Sequence, residues 1–174
     1  MTGERHSELV LAIHPFVKGF AFALFEAPLS PIDWGIKEIR GGDWNARCLG
    51  AAQGLMERTR PDVLAFKDYA DARVRRSRRI QRLRRLIVNH ATGQSIEVRR
   101  YSREQIRACF EGVGAVTRYE IAQAIAGQVH AFGHRLPKVR KIWEPEDPRM
   151  YLFDAVALAL THYSASAAPS PENS

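Results

Sequence analysis

The apolar residues of this 174-residue chain switch from strand period to helix period after three strands and then alternate between the two, and that pattern limits the fold more than any other feature. Glu8 to Ile13 (ELVLAI) and Gly19 to Phe25 (GFAFALF) are short apolar and aromatic runs, with Pro15 and Gly19 marking their connection. Such runs predict two adjacent strands. Ile32 to Ile39 (IDWGIKEI) alternates apolar with polar residues, as a half-exposed edge strand does, and Gly41-Gly42 ends it. From about Asp43 the repeat becomes helical. Trp44, Cys48, Ala51, Ala52, Leu55 and Met56 recur at steps of three and four, which places them on one face of a helix reaching Thr59, closed by Pro61. Asp62 to Phe66 (DVLAF) then has the continuous apolar pattern of a central strand covered on both faces.

The second half repeats this alternation. A basic helix is expected from about Arg73 to His90 and a strand from Ser95 to Tyr101. Two further helices begin near Ser102 and Thr117, where Glu104-Gln105 and Glu120 complete capping signals. Gly127 to Asp147, with its prolines and lysines, reads as a loop or lid. It leads into a last helix from about Pro148 to Tyr163, apolar on nearly every side and therefore expected to be buried, with Asp154 as its single acid. Residues 164–174 (SASAAPSPENS) are small and polar and are expected to be a disordered tail. Three antiparallel strands feeding parallel crossover units predict an α/β fold. The expectation is one domain over residues 1–163, a mixed five-stranded sheet with helices on both faces.

Composition narrows the class further. The chain has the length of one domain able to bury its own core. No run approaches the twenty apolar residues of a membrane span, and Met1 to Glu8 lacks a signal core, so a cytoplasmic protein with no membrane partner is expected. Cys48 and Cys109 lie far apart in helical, apolar surroundings and read as buried free thiols. A formal net charge of +7 points toward a polyanionic partner.

Four segments carry a resemblance: LAIHPFVKGFAFALFE (11–26), PDVLAFKDY (61–69), YSREQIRACFEGVGAVTRYEIAQAI (101–125) and FDAVALALTHY (153–163). In order and spacing the chain resembles RuvC-type Holliday-junction resolvases of the ribonuclease H-like superfamily. The resemblance implies two-metal phosphodiester hydrolysis, with Mg2+ or Mn2+ held by carboxylates from the first strand, the fourth strand and the final helix. Position by position, the acid expected at the end of the first strand is His14, the one ending the fourth strand is Lys67, and the pair in the final helix is Tyr151 and Asp154. Only Asp154 keeps the expected carboxylate.

Four carboxylates would carry a charge near −4, whereas these four side chains sum to about zero with a neutral imidazole. Such a set does not hold two dications, so no cofactor is expected. If a metal did bind, Asp154, His14 and Asp68 would be its ligands. Asp68 faces away from Lys67 on a regular strand; it and Asp71 serve only if the chain re-aims them. The expectation is instead that Lys67 pairs with Asp154, its ammonium standing where a metal would. His14 reads as a hydrogen-bonded structural imidazole, and His162 as a cap at the end of the last helix.

Arg73, Arg75, Arg76, Arg78, Arg79, Arg82, Arg84 and Arg85 crowd the basic helix without one acid between them. Like charges at helical spacing repel, so the cluster is expected to meet phosphates. Arg99, Arg100, Arg103 and Arg107 extend the supply, as do Lys138, Arg140 and Lys141. The resemblance adds a homodimer to which this helix contributes. Three functions fit: a resolvase-like pseudo-nuclease that binds branched or structured DNA or RNA, a divalent-metal-dependent endonuclease with a rearranged site, or a structural subunit docking an acidic partner.

Overall fold

A computed structural model describes residues 7–69 and 77–167. Five strands form one sheet: β1 (Val10–Phe16), β2 (Gly19–Ala27), β3 (Ser30–Glu38), β4 (Val63–Lys67) and β5 (Glu97–Tyr101), in the order β3-β2-β1-β4-β5. The first three are an antiparallel meander, and β4 and β5 add in parallel. This is the mixed sheet expected from the sequence. The turn between β1 and β2 is Val17-Lys18 rather than a longer connection from Pro15. Gly19 has to be glycine: a Cβ there would lie 1.8 Å from the Lys37 carbonyl oxygen across the β2–β3 ladder.

Among the described residues five α-helices cover the sheet: α1 (Trp44–Thr59), α2 (Arg78–Gly93), α3 (Arg103–Glu111), α4 (Arg118–Gln128) and α5 (Arg149–Ala167). Asp43 caps α1 through Ala46 N. Capping boxes open α3 (Ser102 with Gln105) and α4 (Thr117 with Glu120), each satisfying backbone donors that would otherwise be orphaned.

Strand parity sorts the core into two unlike halves. Leu11, Ile13, Phe20, Phe22, Leu24, Leu64 and Phe66 point toward α1 and α2 and fill that side with large groups. Val10, Ala12, Ala21, Ala23, Val63 and Ala65 face α5. The alanines let α5 lie close on the sheet with α3 and α4 packed outside it, which is why α5 is buried from Leu152 to Tyr163 except at Asp154. The same parity sends His14 and Lys67 to the α5 side.

Two expectations are corrected here, and a third is refined. The last helix runs on to Ala167, so residues 164–167 are helical rather than part of a tail; residues 168–174 lie outside the described residues. His162 therefore does not end the helix. It is buried, with Nδ1 2.6 Å from the Tyr101 hydroxyl and Nε2 2.6 Å from a Glu8 carboxylate oxygen, and it ties α5 to both β5 and the chain entering β1. The segment read as a loop or lid contributes to the core, because a 3₁₀ turn (His130–Phe132) drives Phe132 fully out of solvent against Phe25, Trp34 and Phe153.

Cys48 is buried and Cys109 half-buried, both as free thiols. Burial pushes the Cys48 thiol up to about 11, against the opposing fields of Arg79 and Arg47. Roughly one molecule in a thousand then carries the thiolate at pH 8. A thiol reagent at that pH is expected to label Cys48 only after denaturation; rapid labelling of the folded chain would contradict this burial. Among the described residues no helix is long and apolar enough to cross a membrane.

Candidate functional site

β1 and β4 are parallel neighbours whose carboxyl ends open into a cleft of about 430 Å³. Crevices at the carboxyl ends of parallel strands are where α/β folds place their chemistry. His14, Pro15 and Phe16 from β1, Lys67 from β4, Arg103 and Arg107 from α3, Arg118 from α4, and Tyr151 and Asp154 from α5 all line it. The sequence-derived quartet of His14, Lys67, Tyr151 and Asp154 therefore converges on one place. Its charge is cationic, with Lys67 and three arginines facing the single carboxylate of Asp154.

Asp154 does not pair with Lys67. Its carboxylate is gripped by both faces of the Arg118 fork, Nε to Oδ1 at 2.9 Å and Nη2 to Oδ2 at 2.5 Å, and His14 Nε2 lies 3.5 Å from Oδ2. A planar guanidinium matches a carboxylate with two parallel bonds, which an ammonium cannot do. Lys67, whose ammonium lies 5.6 Å from the centroid of the Tyr69 ring, is not an ion-pair partner of Asp154. Burial alone would lower the Arg118 guanidinium, but the Asp154 hydrogen bonds and the Asp154 and Glu146 charges hold it above its ordinary value. Arg118 Nη1 also reaches Glu146 at 3.0 Å.

Tyr151 fills the other lost acid position with an aromatic floor. Its ring stacks on Phe16 at 4.2 Å, near-parallel, and His14 lies 5.8 Å away on the same stack. Burial, with Glu146 adding to it, raises its phenol above the ordinary value, so it is a neutral hydroxyl at physiological pH.

These residues do not fit the two divalent cations that the fold family uses. Both Asp154 oxygens already accept from a cation, and the other lining donors are an imidazole, a phenol and an ammonium rather than hard anionic oxygens. Among the described residues no three His, Cys, Asp or Glu side chains converge as a metal site. Asp68 does not line the cleft, and Asp71 lies outside the described residues.

Arg118 and Glu146 were not singled out in the sequence. One signal was available for Arg118: it is the first residue of a helix whose N-terminal dipole disfavours a cation, so its charge needed an external partner.

The arginine cluster divides by role. Ile80, Leu83, Ile87 and Ala91 turn inward to the sheet, and Arg78, Arg82 and Arg85 fall on the opposite stripe of α2, exposed. Arg79 is instead packed 4.0 Å from the Trp44 ring centroid and bonds the Val17 carbonyl, and half-buried Arg84 lies 4.2 Å from the Tyr69 ring centroid and bonds the Lys67 carbonyl. These two contacts help hold α2 against the mouth of the cleft, while Arg79 remains exposed and Arg84 half-buried. Arg73, Arg75 and Arg76 lie outside the described residues. Arg103 and Arg107 line the cleft, Arg99 pairs with Glu97, and Lys138 and Arg140 border a second groove that shares Arg118 with it.

Sheet order, helix layers and cleft position together define a RuvC-like form of the ribonuclease H fold. Among solved structures the chain is similar to Thermus thermophilus RuvC, with a TM-score of 0.66 at 17% identity over 91% of this chain and 95% of that one. It is similar also to T. thermophilus RuvC in complex with a Holliday junction substrate (TM-score 0.64, 15% identity, 92% and 96% covered). The yeast mitochondrial Holliday junction resolvase gives 0.61 at 13% identity, over 91% and 80% of the two chains. No family model and no curated protein sequence matches the chain.

Proposed function

We propose that this chain is a resolvase-like nucleic-acid-binding protein that recognises branched or structured DNA or RNA and has exchanged two-metal cleavage for cationic binding. The observation that carries this reading is the Arg118 fork on Asp154, which puts a guanidinium on the carboxylate that would hold a metal. Asp154 then serves to orient Arg118, and Lys67, Arg103 and Arg107 complete a cleft suited to phosphate oxygens. Arg78, Arg82 and Arg85 add a separate exposed cationic stripe on the outer face of α2, the helix whose inward Ile80 lines the cleft. The similar fold of a RuvC bound to its junction substrate supports a branched ligand.

The test is to incubate the chain with a four-way DNA junction and with single strands in magnesium and in manganese, beside Asp154→Asn. Tight binding that weakens steeply with salt, without metal-dependent cleavage in either protein, is the expected result. Cleavage by the wild type that Asp154→Asn abolishes would establish a rearranged nuclease and overturn the proposal. Failure to bind any nucleic acid at low salt would leave the arginine stripe to an acidic protein.

A further inference from the structure

Outside the cleft, the most unusual surface is a turn at residues 141–144. Glu144 N donates to the Lys141 carbonyl at 3.0 Å, closing a four-residue turn whose two central residues are Ile142 and Trp143. Turn centres ordinarily hold Gly, Pro, Asn or Asp, which suit the backbone and the solvent. Here Ile142 is 95% exposed and Trp143 78% exposed. Two large apolar side chains at the tip of one turn are costly in water unless something covers them.

The turn is also braced from below. Arg140 Nη1 donates to the Glu144 carbonyl at 3.0 Å, and Lys141 N donates to the Glu144 carboxylate at 3.1 Å. Tyr119 holds the Pro137 carbonyl at 2.8 Å, and Glu146 is bound to Arg118. Pro137 and Pro145 flank the turn and limit its backbone freedom. These contacts hold the backbone of the turn, which lowers the ordering cost of binding at its tip.

We propose that Trp143 and Ile142 form a wedge that enters the base stack of a branched or single-stranded nucleic acid while the cleft holds the adjoining backbone. This rests on the nucleic-acid reading above. An indole face stacks on any base and an aliphatic side chain can prise a base step apart, whereas neither contacts phosphate. Lys141 lies beside the indole, its ammonium 5.5 Å from the ring centroid, and exposed Lys138 stands at the base of the turn to meet the flanking phosphates. Basic and aromatic residues together also suit an anionic membrane surface. Continuity decides for nucleic acid: Arg118 lines both the cleft and the groove beneath this turn, so one ligand strand can run from one to the other.

Trp143 reports on its own contact, because Trp44 is buried and Trp34 half-buried. Binding of a four-way junction is expected to quench the emission of the wild type and shield it from acrylamide, with neither change in Trp143→Phe. Trp143→Ala with Ile142→Ala is expected to weaken junction binding roughly 10- to 100-fold, with the salt dependence unaltered because every phosphate remains neutralised as before. Both residues are solvent-exposed, so circular dichroism is expected to show the fold intact. Junction binding with silent Trp143 emission, or with undiminished affinity in the double variant, overturns the wedge and leaves the nucleic-acid reading standing. Absence of any nucleic-acid binding overturns both. A blue shift on vesicles of phosphatidylserine and phosphatidylcholine, with none on nucleic acid, overturns the wedge in favour of a membrane contact.

Discussion

Replacing Arg78, Arg82 and Arg85 together by glutamine is expected to lower the affinity for a four-way junction roughly a hundredfold to a thousandfold. The three residues sit at steps of four and three on α2, opposite the buried Ile80, Leu83 and Ile87, so they present one cationic line to a partner. Each charge-assisted phosphate contact contributes about 1 to 1.5 kcal/mol, which over three contacts gives that range. The slope of log affinity against log salt should fall by about 0.9 for each phosphate no longer neutralised, or nearly 3 in all. Stability should not fall with it: relieving like-charge repulsion along the helix leaves the melting temperature equal or slightly raised. Arg79→Gln is the contrasting control. It removes packing on Trp44 and the bond to the Val17 carbonyl, so its effect should appear in melting more than in the salt slope. A triple variant with the wild-type slope would show that this stripe is not where phosphates lie.

Phe132→Ala is expected to cost about 3–5 kcal/mol of folding stability, the usual range for deleting a fully buried aromatic ring. Phe132 is wholly out of solvent, with ring centroids 5.1 Å from Trp34, 6.2 Å from Phe153 and 6.3 Å from Phe25. The cavity would open between the meander and α5, and the edge-to-face contact with Trp34 makes that indole a local probe. Urea unfolding followed by fluorescence and by circular dichroism should show the destabilisation, with Phe132→Leu clearly milder because it refills part of the space. A change below about 1 kcal/mol would mean that the 3₁₀ turn is not anchored to the core as described.

Much of the fold was legible because local rules and burial agreed. The apolar run DVLAF reads as a central strand, and β4 is paired on both edges with Val63 to Phe66 buried. Ser102 and Thr117 announce helix starts because their capping partners stand three residues on. Phe132 was hidden for the opposite reason. It sits among glycines, histidines and prolines with no period of its own, and only contact with Phe25, Trp34 and Phe153, distant in sequence, makes it core.

The candidate site divides along the same line. That His14, Lys67 and Asp154 belong to one site, without the full acidic set, is what the family resemblance implied; strand parity puts His14 and Lys67 on the same side of the sheet only once β1 and β4 are known to pair in parallel. What neutralises Asp154 was a tertiary decision. Arg118 is 36 residues away on another helix, and its approach depends on how α4 packs outside α5. The arginine cluster makes the same point: composition announced a cationic helix, but only packing set Arg79, still exposed, over Trp44 and half-buried Arg84 over Tyr69, while Arg78, Arg82 and Arg85 face the solvent on the opposite stripe. Periodicity specifies which residues share a face; only the packed neighbours specify what that face meets.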